Sequence, residues 1–360
     1  MADGLEVAVA AGHIRTAEGS RVLVVDSQEG HLGLAVALAN PHSTFYLYDA
    51  SVRLAQLSAE NAERLKAENV VVLHGDDPQQ LARPAKLDVV IYQPKAFSSL
   101  DLIENTMALG IELLRPAGAF FLIAQRKRGG VRHRRMLERL LDSSSEVVLA
   151  LDGGYKVIRG TKVSPVPGPE VELRRRVKFR VLDRDFEVET EPSLFSKDGL
   201  DMGTRALLEF VELRTFNRLL DVGCGWGAIG LVAAAVNARG RVVMIDVDRR
   251  AVRVAHENAL RLGLENRVKT VATDDPGSVA GSFDLILSNP PFHASMGALT
   301  FMMRRAGEKL ADGGLLHLVA ERTYSRKLRR VLERALEGST LLQQDVGSEH
   351  VVLSASKPPC

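Results

Sequence analysis

Residues 219–230 read LLDVGCGWGAIG, and residues 241–246 read RVVMID. A short apolar run ends in a glycine-rich turn, a small-residue helical stretch follows, and a second apolar run ends in an acid. That alternation is a βαβ unit feeding a parallel sheet. Upstream, RVLVVD at 21–26 and FYLYD at 45–49 repeat it. Asp26 and Asp49 are 23 residues apart and Asp221 and Asp246 are 25 apart, so the first copy reads as two residues shorter. Asn61 follows Asp49 by 12 residues, as Asn258 follows Asp246. KLDVVIYQP carries Asp88 and then Gln93-Pro94, and SFDLILSNP carries Asp284 and then Asn289-Pro290 at the same offsets. Pro94 to Gly118 and Pro290 to Gly314 are both 24. Register held over this many landmarks marks a tandem duplication. The expected fold is α/β, with two tandem Rossmann-like domains, each a doubly wound, mostly parallel sheet covered by helices on both faces. The first domain is expected over 1–165 and the second over 193–360. Between them, 166–192 reads as a linker followed by a hairpin, from the alternation in VKFRVLDRDFEVE.

The copies differ where ligands bind in such folds. The second has Gly223, Gly225 and Gly227 close together and then Asn289-Pro290-Pro291-Phe292. The first has DSQEGHLG, with Gly30 and Gly33 alone, and Gln93-Pro94-Lys95-Ala96. One active domain and one degenerate domain kept for another task is the simplest reading.

Composition bounds the class. The chain has 360 residues, 46% of them hydrophobic and 26% charged, which excludes disordered, collagen-like and coiled-coil proteins. Two cysteines make no disulfide framework. No 18-residue apolar run appears, and MADGLEVAVAAG lacks the basic start of a secretory signal. A cytoplasmic protein without membrane or metal partners is expected, and two domains in tandem make a monomer sufficient.

The net charge of +2 hides an uneven distribution. RKRGGVRHRR (126–135), RRRVKFR (174–180) and RTYSRKLRR (322–330) hold 16 positive charges and no acid, against a net −14 elsewhere. A single basic run is usually a solvated face. Three on an acidic background point to a polyanion such as RNA. Arg126, Lys127 and Arg128 follow FLIA in the first copy, and Arg326, Lys327, Arg329 and Arg330 follow HLVA in the second. Both sets are expected at the same edge of their sheets.

A turn leaving a strand at the C-terminal edge of a parallel sheet is the usual ligand site. Its glycines let the backbone approach the ligand, the helix N-terminus offers free N–H groups, and Asp246 can accept from ribose hydroxyls. Gly225-Trp226-Gly227-Ala228-Ile229-Gly230 satisfies the dinucleotide fingerprint, leaving a nicotinamide cofactor and S-adenosylmethionine both open, beside a merely structural turn. Asp221, directly before the glycines, favours a ligand with an ammonium and no phosphate. Asp274, after the third strand, is a candidate acceptor for the adenine amine, or else a solvated turn acid.

Asn289-Pro290-Pro291-Phe292 lies at the end of the strand expected beside the glycine loop. An exocyclic amine on a base is a poor nucleophile because its lone pair is delocalised. The Asn289 side-chain oxygen and the Pro290 carbonyl can accept its hydrogens and draw it toward tetrahedral geometry, and Phe292 can stack on the ring.

DVGCGWG, Asp246 and NPPFH (289–293) together resemble class I S-adenosylmethionine-dependent methyltransferases of exocyclic amines. FSKDGLDMGTRALLE (195–209) is similar to the entry segment of the bacterial ribosomal RNA guanine-N2 methyltransferases of the RsmC and RlmG type. The resemblance covers essentially the whole chain. It implies S-adenosylmethionine as cofactor, lined by Gly223, Gly225 and Gly227 with Asp246 on the ribose. It implies that Asn289, Pro290 and Phe292 hold guanine, and that Asp201, Gly203 and Thr204 lie near the cofactor's methionine end or the substrate entrance. Pro291 and His293, in the same loop, are expected against the RNA. In that family the N-terminal domain has lost cofactor binding and helps with RNA, which fits Gln93-Pro94-Lys95 here. The implied substrate is 16S rRNA in the small ribosomal subunit; 23S rRNA, adenine N6 and protein glutamine remain alternatives on this motif.

Overall fold

The structure, a computed structural model, describes residues 13–26, 29–73, 75, 86–95, 98–150, 154–163, 174–292 and 294–357. The chain divides into two compact units, residues 1–173 and 174–360.

The first unit runs β1 (Arg21–Val25), α1 (His31–Leu38), β2 (Thr44–Tyr48), α2 (Val52–Arg64), β3 (Val70–Leu73), β4 (Leu87–Tyr92), α3 (Leu100–Leu113), β5 (Leu114–Gln125), α4 (Gly130–Leu141), β6 (Ser145–Ala150) and β7 (Tyr155–Thr161). A 3-10 turn, Arg126–Arg128, joins β5 to α4. Its seven-stranded sheet has the order β3-β2-β1-β4-β5-β7-β6 among the described residues, with β7 antiparallel to both neighbours.

The second unit opens with a hairpin, β8 (Arg175–Val181) and β9 (Arg184–Thr190). It continues through α5 (Met202–Phe210), β10 (Arg218–Val222), α6 (Ala228–Val236), β11 (Arg241–Asp246), α7 (Arg249–Arg261), β12 (Val268–Ala272), β13 (Phe283–Ser288), α8 (Met296–Gly307), β14 (Leu310–Glu321), α9 (Ser325–Ala335), β15 (Thr340–Val346) and β16 (His350–Ser356). The order β12-β11-β10-β13-β14-β16-β15 reproduces that of the first sheet strand for strand. The duplicated α/β architecture expected from sequence is therefore present.

Central strands such as Leu219, Leu220 and Val222 bury residues toward both faces of the sheet, which is why they read as continuous apolar runs. The hairpin does not stand apart as a linker. Val177, Val181, Phe186 and Val188 join the core of the second unit. Phe179 stacks on Phe186 at 5.2 Å and meets the Trp226 ring at 5.6 Å. Asn258 clamps this layer to the glycine loop: its Nδ2 donates to the Glu189 and Trp226 carbonyls at 2.8 and 3.0 Å, and its Oδ1 accepts from the Glu189 amide at 2.7 Å. Asn61 keeps the second of these bonds in the first unit, donating to the Glu29 carbonyl at 2.9 Å. Of the expected linker, 166–173 lies outside the described residues.

Strand register corrects the alignment of the copies. Val25 pairs with Tyr48, and Val222 pairs with Ile245. Asp26 therefore occupies the position of Gly223, and Val24 that of Asp221. The hydrogen bonds agree: the Asp26 amide donates to the Tyr48 carbonyl and the Gly223 amide to the Ile245 carbonyl, both at 2.9 Å. The two turns are equal in length, and the apparent two-residue deficit came from matching the wrong aspartates.

Candidate active site

The order of strands reverses between β1 and β4 in the first sheet and between β10 and β13 in the second, and such switch points open a crevice at the strands' C-terminal ends. In the second unit four segments converge there: the loop after β10, the tip of β11, the turn after β12, and Asn289–Phe292 after β13.

The loop after β10 holds Gly223, Gly225 and Gly227 at φ of 75°, 55° and 98°. These left-handed conformations strain any residue with a Cβ. Gly227 is the residue before α6 and closes the turn by donating to the Cys224 carbonyl at 2.9 Å. At Gly223 and Gly225 an added Cβ would meet nothing within 4 Å, so open space lies directly over this backbone.

Asp246 ends β11 beside that space. Its Oδ2 accepts from the Gly225 amide and its Oδ1 from the Asp248 amide, both at 2.9 Å. A carboxylate has about four lone-pair sites, more than these amides use, so it can accept a ligand hydroxyl as well. Burial pushes its pKa up to about 6, despite the backbone amides that favour the ionised form. An open glycine cradle beside a hydroxyl-accepting acid fits an adenosine-containing ligand such as S-adenosylmethionine.

Asp221 sits differently from its expected ligand-facing place. It is 0% exposed, beneath the loop, with Oδ2 accepting from the Gly230 amide at 2.9 Å. Its Oδ1 has no hydrogen-bond partner among the described residues. Burial pushes its pKa to about 7. Any influence on a ligand passes through the loop above it. Asp274 lies half-buried in the turn after β12, at the same sheet edge. The next acid, Asp275, is structural: Arg305 grips both its oxygens at 2.7 and 2.9 Å.

Asn289 follows β13, half-buried, with Pro290 buried behind it and Pro291 exposed. Its Nδ2 donates to Asp201 Oδ1 at 3.2 Å and to Thr204 Oγ1 at 3.0 Å. Asp201 is also the N-cap of α5, accepting from the Gly203 and Thr204 amides at 3.1 Å each. Gly203 is packed against His350, where a Cβ would come within 3.1 Å of the ring. The side chains of Asp201 and Thr204 are thus committed to Asn289, and Gly203 to the helix cap. This places Asp201, Gly203 and Thr204 beside the Asn289 loop, where the substrate entrance is expected.

Phe292 is half-buried, its ring stacked on Tyr324 at 5.2 Å and 8° between planes. Tyr324, which no sequence motif singled out, ends the 3-10 turn Arg322–Tyr324 after β14. Lys327 was expected on RNA, yet its ammonium donates to the Phe292 and Ala294 carbonyls, both at 2.8 Å, and anchors the loop. His293 lies outside the described residues.

The other basic residues divide. Arg326 and Arg330 are exposed on α9, whereas Arg329 pairs with Glu333. Arg126, Lys127 and Arg128 are exposed in the equivalent turn of the first unit, as expected. The 174–180 run is acid-free in sequence but not in space. Arg174 meets Glu189, Arg175 meets Asp198, Arg176 and Lys178 both meet Glu187, and Arg180 meets Asp185.

In the first unit the corresponding slot is closed. Lys95, in the position of Pro291, reaches Asp26 Oδ1 at 3.1 Å and Asp49 Oδ2 at 3.2 Å. Asp49 is the counterpart of Asp246 and Asp26 that of Gly223. The degenerate copy has a cross-linked ion cluster where the second unit has open space over glycine.

Two matching sheets and one intact glycine–acid–Asn-Pro-Pro-Phe edge define a Rossmann-like methyltransferase architecture. The chain belongs to the methyltransferase small domain family, matching it over residues 8–159 and 185–352. The ribosomal RNA small subunit methyltransferase C of Pseudoalteromonas atlantica is 27% identical over 85% of this chain and 86% of that protein. Its counterpart in Serratia proteamaculans is 35% identical over 38% of this chain and 40% of that protein. Among solved structures, a Thermus thermophilus 16S rRNA N2 G1207 methyltransferase in complex with AdoMet and guanosine superposes with a TM-score of 0.79 at 21% identity, over 98% of this chain and 91% of that one. That likeness supports the fold of the whole chain, both units included. Among the described residues no helix is long and apolar enough to cross a membrane, and no acid, His or Cys cluster could hold a metal ion.

Proposed function

We propose that the protein transfers the methyl group of S-adenosylmethionine to the exocyclic N2 of a guanine in small-subunit ribosomal RNA, acting as a monomer in the cytoplasm. The observation that carries this reading is the orientation of Asn289. A carboxylate can only accept, so Asp201 holds the amide nitrogen, which leaves Oδ1 as the atom we assign to the substrate amine. The relatives' names, small-subunit rRNA methyltransferases, supply the substrate.

Gly223, Gly225 and Gly227 hold the cofactor's backbone-facing side, Asp246 its ribose hydroxyls and Asp274 its adenine amine. When bound, the cofactor supplies an electrophilic methyl on a sulfonium. Asn289 Oδ1 and the Pro290 carbonyl accept the two N2 hydrogens of guanine. This withdraws the nitrogen lone pair from ring conjugation and aims it along one line. Phe292, backed by Tyr324, fixes the plane of the base. As the nitrogen becomes positive in the transition state, the same two acceptors stabilise its N–H groups, a type of interaction worth about 10²–10³ in rate. The surplus proton then leaves N2 for solvent. The base must leave its stack or lie in an open segment to reach this edge, which suits a ribosomal RNA loop. Arg326 and Arg330 neutralise phosphates alongside.

Titration of the purified protein with S-adenosylmethionine and with NAD tests the cofactor. Saturable binding of the first alone is expected. Binding of NAD alone would overturn the reading.

A further inference from the structure

A groove of about 430 Å³ lies between α5 and the turn that joins β15 to β16. Met202, Ala206 and Phe210 line it from α5, and Val346 and His350 line it from the strand ends. Both walls belong to segments that build the site proposed for guanine. Met202 follows Asp201, whose Oδ1 accepts from Asn289 Nδ2 at 3.2 Å. His350 packs on Gly203 in the same helical turn. The Glu349 carbonyl accepts from the Arg322 amide at 2.7 Å, and Arg322 begins the 3-10 turn whose last residue, Tyr324, stacks on Phe292. The groove is therefore continuous with the guanine site.

Its chemistry suits a base and opposes a phosphate. Met202 is 67% exposed, whereas Leu207 and Leu208 of the same helix are fully buried. A thioether is polarizable and favours aromatic rings, so an exposed methionine makes a platform for a flat ligand. The arginines nearby are engaged. Arg205 pairs with Glu209 at 3.5 Å and donates to the Arg180 carbonyl at 2.8 Å. Arg322 pairs with Asp345 at 2.9 Å and donates to the Ser348 carbonyl at 3.2 Å. The Glu349 carboxylate, on the groove's exposed edge, has no ion pair among the described residues. An unmatched carboxylate repels phosphate and accepts N–H groups, so it favours a base edge that carries an amine.

We infer that this groove binds the base of the nucleotide next to the target guanine in the same RNA strand, stacked on Met202, with an exocyclic amine turned toward Glu349. The inference rests on the reading of Asn289–Phe292 as the guanine site and adds to it a preference for the neighbouring base. Single-stranded RNA is commonly read in this way, by stacking and by hydrogen bonds to base edges. Uracil, with a carbonyl where cytosine has its amine, would set two acceptors face to face and is disfavoured.

Calorimetric titration of the full chain tests it, with guanosine 5′-monophosphate, the ribodinucleotides GpC and GpU, and the reversed pair CpG and UpG. In one of the two series the cytosine dinucleotide should bind about tenfold more tightly than the monophosphate, since the stacking of one base and a hydrogen bond to a carboxylate are at stake. The other series should show no gain, because the groove lies to one side of the guanine. The uracil dinucleotide of the favoured series should bind several-fold more weakly than its cytosine counterpart. Glu349→Gln should remove most of that preference, because an amide both donates and accepts. Met202→Ala should cut the gain of the cytosine dinucleotide several-fold and leave affinity for the monophosphate unchanged. Both side chains are exposed, so the variants keep their packing. If the monophosphate binds and the dinucleotides bind no more tightly, or gain equally in both series, or keep their gain in Met202→Ala, the groove is overturned and the guanine site stands. No binding of any of these probes at millimolar concentration would overturn both.

Discussion

The Asn289 amide nitrogen lies 3.2 Å from Asp201 Oδ1, and Thr204 Oγ1 completes its pair of acceptors at 3.0 Å. The residue that caps α5 is thus the one that orients the group proposed to meet the substrate amine. Removing Asp201 should cost the cap, about 1 kcal/mol of stability, and release the amide to rotate. Asp201→Ala should lower kcat about tenfold to a hundredfold with little change in S-adenosylmethionine affinity. Asp201→Asn, whose oxygen can still accept both from the cap amides and from Asn289, should recover most of that loss. Steady-state kinetics on both variants decides the matter: equal kcat in the Ala and wild-type proteins would reduce Asp201 to a cap.

The Phe292–Tyr324 stack gives a second expectation. Aromatic pairs contribute about 0.5–1.5 kcal/mol beyond the area they bury. Tyr324→Ala removes the ring that backs Phe292 and should raise the KM for RNA several-fold more than that for S-adenosylmethionine. Tyr324→Phe keeps the stack and should behave as wild type. An equal rise in both KM values would point to general loosening of the loop.

Asp221 supplies a pH dependence. Its folded pKa of about 7 lies above the ordinary 3.8 of an unfolded chain. As pH rises from about 4 to 7 the unfolded state ionises first, so stability falls through this window and levels off above it. Asp221→Asn cannot ionise. The Tm difference, variant minus wild type, should climb between pH 5 and 7.5 in the ligand-free protein and then level. Asp246, also raised, is present in both proteins and cancels. A difference that does not vary with pH would mean that the buried carboxyl does not titrate there.

Salt dependence separates the basic segments. Arg326→Glu/Arg330→Glu should weaken RNA binding and flatten the slope of log affinity against log salt by about one unit for each phosphate that is no longer neutralised. Arg176→Glu/Lys178→Glu, which alters charges already matched by Glu187, should move that slope far less. Filter-binding isotherms across a salt series measure both. A larger change from the hairpin variant would place the RNA on the other side of the second unit.

Much of this was legible in the sequence because its determinants are local. The apolar runs, the glycine turn and the Asn-Pro-Pro-Phe loop each declare a strand end within a few residues, and the repeat doubled the signal. What escaped depends on non-local pairing. Asp26 was matched to Asp221 because each is the aspartate next to a turn, and only the pairing of Val25 with Tyr48 and of Val222 with Ile245 separates them. The 174–180 run looked unneutralised because its acids sit on the opposing strand and, for Asp198, in the segment after it. Tyr324 and the anchoring of Lys327 were invisible because β14 intervenes between them and Asn289. Asp201 was placed near the site from its resemblance, but its bond to a side chain 88 residues away has no local signature.

The decisive measurement is nucleoside mass spectrometry of RNA after reaction of the purified protein with S-adenosylmethionine and unmodified small-subunit rRNA or subunits. Large-subunit rRNA, DNA and Asn289→Ala protein serve in parallel. N2-methylguanosine should form in the small-subunit RNA, be absent from the other nucleic acids, and disappear with Asn289→Ala while that variant still binds cofactor. Methyl groups appearing on adenine N6, on large-subunit rRNA, or undiminished in Asn289→Ala would contradict the proposed chemistry.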